Sequence, residues 1–255
     1  MKWLFATMII LSACSVPARA DLVQTISRVK PAVVAIGTAL PTRNPTHVFR
    51  GTGFVVEDGH TVVTNAHVVP RVTEMAPREV LVVLAEVDGK PHLRPARIAM
   101  VDVEHDLLIL RLEGPSLPTL TVGDAAAVKE GMSVAFTGFP LGMALGMRPV
   151  THRGIISAIT PVATRAQGAR DLSAKSIERL RSQFFIFQLD ATAYPGNSGS
   201  PLFDPETGVV YGVLNSVFVK ITKENAIKDP SGITYVIPAS FVQELLEQLR
   251  RQSGQ

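Results

Sequence analysis

The chain has 255 residues, 46% of them hydrophobic, with 25 Lys and Arg against 22 Asp and Glu and a single cysteine, Cys14. The near balance of charge argues against a nucleic acid or an anionic membrane surface as partner, and a lone cysteine excludes an intramolecular disulfide. Stability must come from an apolar core, which a chain of this length can build.

The first 20 residues read as an export signal. Lys2 gives a positive start, 3–13 an apolar stretch, and Ala18-Arg19-Ala20 a small-residue cleavage site before Asp21. The apolar stretch is too short to span a bilayer. Within it Leu11-Ser12-Ala13-Cys14 has the form of a bacterial lipobox, in which Cys14 would be lipidated and become the mature N-terminus. Two products are therefore expected as alternatives: a soluble periplasmic form beginning at Asp21, or an envelope lipoprotein anchored through Cys14. Cleavage after Ala20 leaves 235 residues with 23 basic and 22 acidic side chains and no cysteine.

Residues 21–30 are predicted to form a short amphipathic helix, with Leu22, Val23, Ile26 and Val29 on one face and Pro31 at its end. Short β runs follow at 32–38, 53–56, 61–64, 80–87, 94–101 and 107–112, separated by Gly, Pro, Asn and Asp turns. Residues 113–130, with Pro115, Pro118 and Gly123, read as a connector. A second group of runs lies at 133–138, 151–160, 184–189, 201–203, 209–219 and 233–237. Two groups of six strands predict an all-β fold of two barrels, about 31–112 and 131–238. Ser240-Phe241-Val242-Gln243 has the form of a capping box, and Phe241, Val242, Leu245, Leu246 and Leu249 make one apolar face, so a helix is predicted over 240–251. Residues 161–183, with Arg165, Arg170, Lys175, Arg179 and Arg181, read as a basic surface loop containing a short helix.

The chemistry centres on Tyr194-Pro195-Gly196-Asn197-Ser198-Gly199-Ser200-Pro201. Two glycines around one serine in a Pro-bounded turn suit converging N–H groups and a hydroxyl held clear of its own main chain. A serine nucleophile needs a histidine base and a carboxylate to orient that base. All six histidines, His47, His60, His67, His92, His105 and His152, precede Ser198, which rules out the chain order of the α/β-hydrolases. His67 ends the β-branched run 61–69, and Asp106 opens the apolar run 107–112, where a carboxylate can be desolvated beside an imidazole. His60 lies in the Glu57-Asp58-Gly59-His60 turn; Asp102 and Asp190 are the other carboxylates in reach of the role. The spacing that holds a metal, such as His-Glu-x-x-His, does not occur.

Thr64-Asn65-Ala66-His67-Val68-Val69, His105-Asp106-Leu107-Leu108-Ile109-Leu110 and Gly196-Asn197-Ser198-Gly199-Ser200-Pro201, in that order, resemble the three signature segments of the HtrA (Deg) family of trypsin-like serine proteases. Gly51-Thr52-Gly53-Phe54-Val55-Val56 and Ile237-Pro238-Ala239 extend the similarity over nearly all of the chain after residue 21. The resemblance implies a chymotrypsin-type double barrel and an endopeptidase using His67, Asp106 and Ser198, with the N–H groups of Gly196 and Ser198 as oxyanion hole and no metal or organic cofactor. Its expected partners are unfolded or peptide substrates. Only 250–255 follow the final helix, so the PDZ domain common in that family has no room in this sequence. Asn197 stands where zymogen-activated relatives carry an aspartate, which points to loop ordering rather than N-terminal insertion for activation. Counting six residues back from Ser198 places Thr192 at the floor of the substrate pocket, with Leu214 or Val217 on its wall. The expected preference is then for Ala, Val, Ile or Leu before the scissile bond. The rival reading is a catalytically silent binding or chaperone module on the same scaffold.

Overall fold

The computed structural model describes residues 21–87, 89–142, 146–161, 184–215 and 233–254; Cys14, Val217 and all but the first residue of the basic loop lie outside them. Helix α1 (Leu22–Val29) is followed by β1 (Val33–Ala39), β2 (His47–Val56), β3 (Thr61–Asn65), β4 (Val80–Val87), β5 (Lys90–Asp102) and β6 (Leu107–Leu112). The second half comprises β7 (Ser133–Gly138), β8 (Val150–Pro161), β9 (Phe185–Asp190), β10 (Pro201–Phe203), β11 (Val210–Asn215) and β12 (Ile233–Pro238), then helix α2 (Ala239–Ser253). Each set of six strands closes into an antiparallel barrel, in the order β1-β2-β3-β6-β5-β4 and β10-β11-β12-β9-β8-β7. The expected all-β double barrel is the observed architecture.

The apolar runs are continuous because several strands are buried on both faces. Val34 and Ile36 of β1, Val55 of β2, Val62 of β3 and Leu108 and Leu110 of β6 fill the first barrel. The alternate residues Val33, Ala35, Phe54, Val56, Val63, Leu107 and Ile109 point the other way, into one cluster shared with Ala135, Phe203, Val213 and Ile237 of the second barrel. Inside the second barrel lie Val134, Phe136, Ile156, Phe187, Leu189, Leu202, Leu214 and Val236. At about 1.5–3 kcal/mol for a buried aliphatic or aromatic side chain, the shared cluster makes the barrel-to-barrel contact as much a core as either interior.

Both helices tie the halves together. The Thr25 hydroxyl of α1, just ahead of the first barrel, donates to the Glu206 carbonyl of the second at 3.0 Å. Helix α2 leaves the second barrel and lays Val242, Leu245 and Leu246 into the shared cluster. It begins one residue earlier than expected, with Pro238 as N-cap and no side-chain cap bond. Ser240 thus lies inside the first turn and forms no capping box. Strand β2 is longer than the 53–56 run: it begins at His47 and crosses Arg50-Gly51-Thr52 before the predicted start.

Candidate active site

His67 lies in a 3-10 turn, Ala66–Val68, that follows β3 directly. Asp106 immediately precedes β6, which pairs with β3 so that Asn65 faces Leu107. This register sets the two turns side by side. The Asp106 carboxylate grips His67 twice: Oδ1 accepts the His67 N–H at 2.9 Å and Oδ2 the Nδ1–H at 2.6 Å. A bond from Nδ1 to a carboxylate fixes the tautomer in which Nε2 is the free base. The Asp106 carbonyl accepts from the Ala66 N–H at 3.0 Å and from the Asn65 amide at 3.1 Å. Together these bonds hold Asp106 at φ 53°, a left-handed conformation that an Asp tolerates better than most side chains.

Two functional contacts were not foreseen in the sequence. Asn215, at the end of β11, donates its amide to Asp106 Oδ2 at 2.7 Å, so a residue of the second barrel orients the carboxylate of the first. The signal was a polar residue closing the apolar run Val213-Leu214-Asn215. Alternation along β11 then fixes the direction of Leu214. Asn215 points toward Asp106, so Leu214 points to the opposite face, where it is fully buried in the second-barrel interior. Leu214 is a core residue of the second barrel, in the cluster against which Ala191 and Ala193, the neighbours of Thr192, pack. Thr192 is half-buried in the segment between β9 and β10, and Asp190 is an exposed residue at the end of β9, registered opposite Ile233.

Thr52 of β2 is the second unforeseen contact. Fully buried, it donates its N–H to the Ser198 carbonyl at 2.8 Å and its hydroxyl to the Gly196 carbonyl at 2.7 Å. The same hydroxyl accepts from the Phe139 N–H at 3.0 Å, and the Thr52 carbonyl accepts from the Thr64 hydroxyl at 2.7 Å. The loop carrying Ser198 is thus built onto the strand next to β3. Gly199, at φ 87°, allows this approach, because a Cβ there would collide with the Thr52 carbonyl. At Gly51 a Cβ would lie 2.7 Å from the Val68 side chain and 3.1 Å from the Ser198 carbonyl, so the turn of His67 and the loop of Ser198 converge on one bare backbone position.

Within the loop, the Asn197 N–H bonds the Tyr194 carbonyl at 3.0 Å, the Gly199 N–H bonds the Leu214 carbonyl at 2.9 Å, and the Pro195 carbonyl is held by the Leu141 N–H at 2.7 Å. Gly196 follows at φ 100°. His152 stacks on Phe136 with ring centroids 4.8 Å apart, near Tyr194, and burial pushes its pKa down, leaving it neutral behind the loop. Of the other histidines, His60 contacts the Asp58 and Gly114 carbonyls. His105 pairs with Asp102.

Two antiparallel barrels, with a His–Asp pair on one facing a Gly-Asn-Ser-Gly loop on the other, define a trypsin-like serine protease architecture. A family model described as trypsin-like peptidase domain matches residues 51–213. The chain is 31% identical over 204 residues to a probable periplasmic serine endoprotease DegP-like of Halomonas elongata, covering 80% of this chain and 36% of that protein. It is 32% identical over 212 residues to the mitochondrial serine protease HTRA2 of Drosophila pseudoobscura pseudoobscura, covering 82% and 42%. Among solved structures, the HtrA-type protease AlgW with decapeptide superposes with a TM-score of 0.64 at 21% identity, covering 91% of this chain and 68% of that one. The chain belongs to the trypsin-like peptidase family, as an HtrA-like protease domain. It spans well under half the length of these two curated relatives, 36% and 42%.

Thr52→Val preserves shape but strips partners from the Gly196 carbonyl and the Phe139 N–H. At about 1–3 kcal/mol for each buried group left unpaired, a loss of about 2–6 kcal/mol is expected in urea denaturation, with Thr52→Ser restoring most of it. A wild-type midpoint for Thr52→Val would mean that the apolar interface alone keeps the barrels in register.

Proposed function

We propose that the protein is an exported serine endopeptidase that hydrolyses peptide bonds in unfolded or peptide substrates. The observation that carries this reading is the two-point hydrogen bond of Asp106 to His67, at 2.9 and 2.6 Å, beside the loop that presents Ser198. In the proposed reaction His67 Nε2 takes the proton of Ser198 Oγ as the hydroxyl attacks the scissile carbonyl. Asp106 steadies the imidazolium that forms, and His67 then returns the proton to the leaving amine. The N–H groups of Gly196 and Ser198 bind the developing oxyanion, and such preorganised donors supply the largest share of the rate enhancement. Water repeats the sequence on the acyl-enzyme and frees Ser198.

A fluorophosphonate probe tests the nucleophile: wild type is expected to label and Ser198→Ala to remain unlabelled, whereas equal labelling of both, or of neither, would remove Ser198 from the role and revive the silent-module reading. For turnover, Ser198→Ala or His67→Ala should each lower kcat by about 10⁶ and Asp106→Asn by about 10⁴. Near wild-type turnover of Asp106→Asn would assign the orienting role to another carboxylate.

Thr192 is proposed as the floor of the substrate pocket, with Leu214 or Val217 on its wall. No carboxylate stands at position 192, and Asp190 is exposed in the β9–β12 ladder. A buried Lys or Arg of the substrate would lack a counter-charge, which is strongly unfavourable. Cleavage-site profiling on a denatured protein is expected to find Ala, Val, Ile or Leu before the cut, with modest discrimination among them because one methylene is worth about 1–3 kcal/mol. An excess of Lys or Arg there would overturn the pocket.

Export rests on the signal-like residues 1–20, and the relative named as periplasmic supports it. The mature N-terminus is either Asp21 or an acylated Cys14, and mass spectrometry of protein isolated from the envelope distinguishes the two. Membrane sedimentation of a Cys14→Ala protein would rule out the lipid anchor, since the acyl chains of a lipoprotein are what would hold it there.

A further inference from the structure

The residue before Asp106 belongs to a second histidine–aspartate pair with the same geometry as the first. Asp102 Oδ1 accepts the His105 N–H at 3.0 Å and Oδ2 accepts the His105 Nδ1–H at 2.6 Å. Asp106 holds His67 at 2.9 and 2.6 Å in the same two-point fashion. The two pairs are joined by the peptide bond between His105 and Asp106. The His105 ring is packed as well: it stacks on Phe241 of α2 with centroids 3.8 Å apart and planes at 17°, and meets Phe184 edge-on at 4.7 Å and 71°. Phe184 and Phe241 touch each other at 5.3 Å. His105 is therefore fixed through its main chain, its imidazole nitrogen, one stacked ring face and an edge-on ring contact, immediately before a residue held at φ 53°.

A left-handed non-glycine residue persists only where its surroundings over-determine it. On its C-terminal side Asp106 is held by β6 and by the bonds to His67, Ala66, Asn65 and Asn215. On its N-terminal side the bonds and ring contacts described above all fall on His105. We propose that His105 is a positioning residue for Asp106 and that, through Asp102 and Phe241, it anchors the carboxylate of the catalytic site to the C-terminal helix. The proposal rests on the reading of His67, Asp106 and Ser198 as a triad. Through it, packing of α2 against the first barrel bears on the reactivity of Ser198 without any contact to substrate.

The test is the rate of inactivation by a fluorophosphonate as a function of pH, together with the downfield proton NMR signal of the His67–Asp106 hydrogen bond. His105→Ala and Asp102→Asn are expected to slow inactivation about 10- to 100-fold, the scale on which an ångström of misplacement acts. The acidic limb of the profile should move to lower pH, because an imidazole that loses its carboxylate partner is less basic. The downfield signal should weaken. Phe241→Tyr keeps the stack and should behave as wild type, whereas Phe241→Leu should resemble His105→Ala. His105→Phe keeps a ring against Phe184 and Phe241 and removes only the nitrogen bond; it covers a failure of His105→Ala to fold and should show the same shifted limb. Wild-type rates in His105→Ala, Asp102→Asn and His105→Phe, or slow rates with an unmoved limb and an intact downfield signal, would overturn the proposal. Asp106→Asn measured alongside separates the two readings. Fast inactivation of that variant would bring down the triad itself, and slow inactivation beside a wild-type His105→Ala would bring down only the role of His105.

Discussion

Thr52 is where the two barrels become one site. Its N–H, hydroxyl and carbonyl are all engaged, reaching Ser198, Gly196, Phe139 and Thr64, and the residue is fully buried. Hydrogen bonds in such a dry setting have no competing water, so the alternative to each is an unpaired polar group rather than a solvated one. The proposed triad, divided between two barrels, requires its parts to be placed to a fraction of an ångström. Here that placement passes through main-chain atoms on both sides, which move less than side chains.

The apolar interface supplies the rigidity on which this depends. Because β1, β2, β3 and β6 each bury one face in the first barrel and the other against the second, sliding one barrel over the other would expose part of a core. The helices at the two ends of the described chain cross the same boundary. Orientation of charge follows from this arrangement. Asp106 accepts bonds from Ala66, Asn65 and His67 of its own barrel and from Asn215 of the other, so its carboxylate is set before any substrate arrives. Donors fixed in advance need no reorganisation when the imidazole becomes charged.

The same device occurs twice, with its two carboxylates four residues apart in sequence. Asp102 with His105, and Asp106 with His67, each pair a carboxylate with a backbone N–H and an Nδ1–H of one histidine. One pair spans three residues and the other thirty-nine, so the first is a turn and the second a tertiary contact. Phe184 and Phe241, against the nearer pair, are separated by more than fifty residues in the chain.

What the amino-acid order determined by itself was local. Strand-length apolar runs of β-branched residues, Gly and Pro punctuation and one amphipathic end predicted two groups of six strands and a closing helix, and the segments around His67, Asp106 and Ser198 were recognisable because each carries its chemistry within a few residues. Misplaced details were those that depend on partners. Strand β2 extends back over Gly51 to His47 because its neighbour β1 pairs with it there, and the close approach of Val68 and Ser198 rewards a bare extended backbone at Gly51. Ser240 has the composition of a cap, yet Pro238 ends β12 so tightly that the helix starts before it. Leu214 and Asn215 are adjacent in sequence and opposite in role, and which of them faces the site is decided by the pairing of β11 with β10 and β12. Side chains alternate along a strand, so sequence gives the alternation and only the sheet register gives its phase.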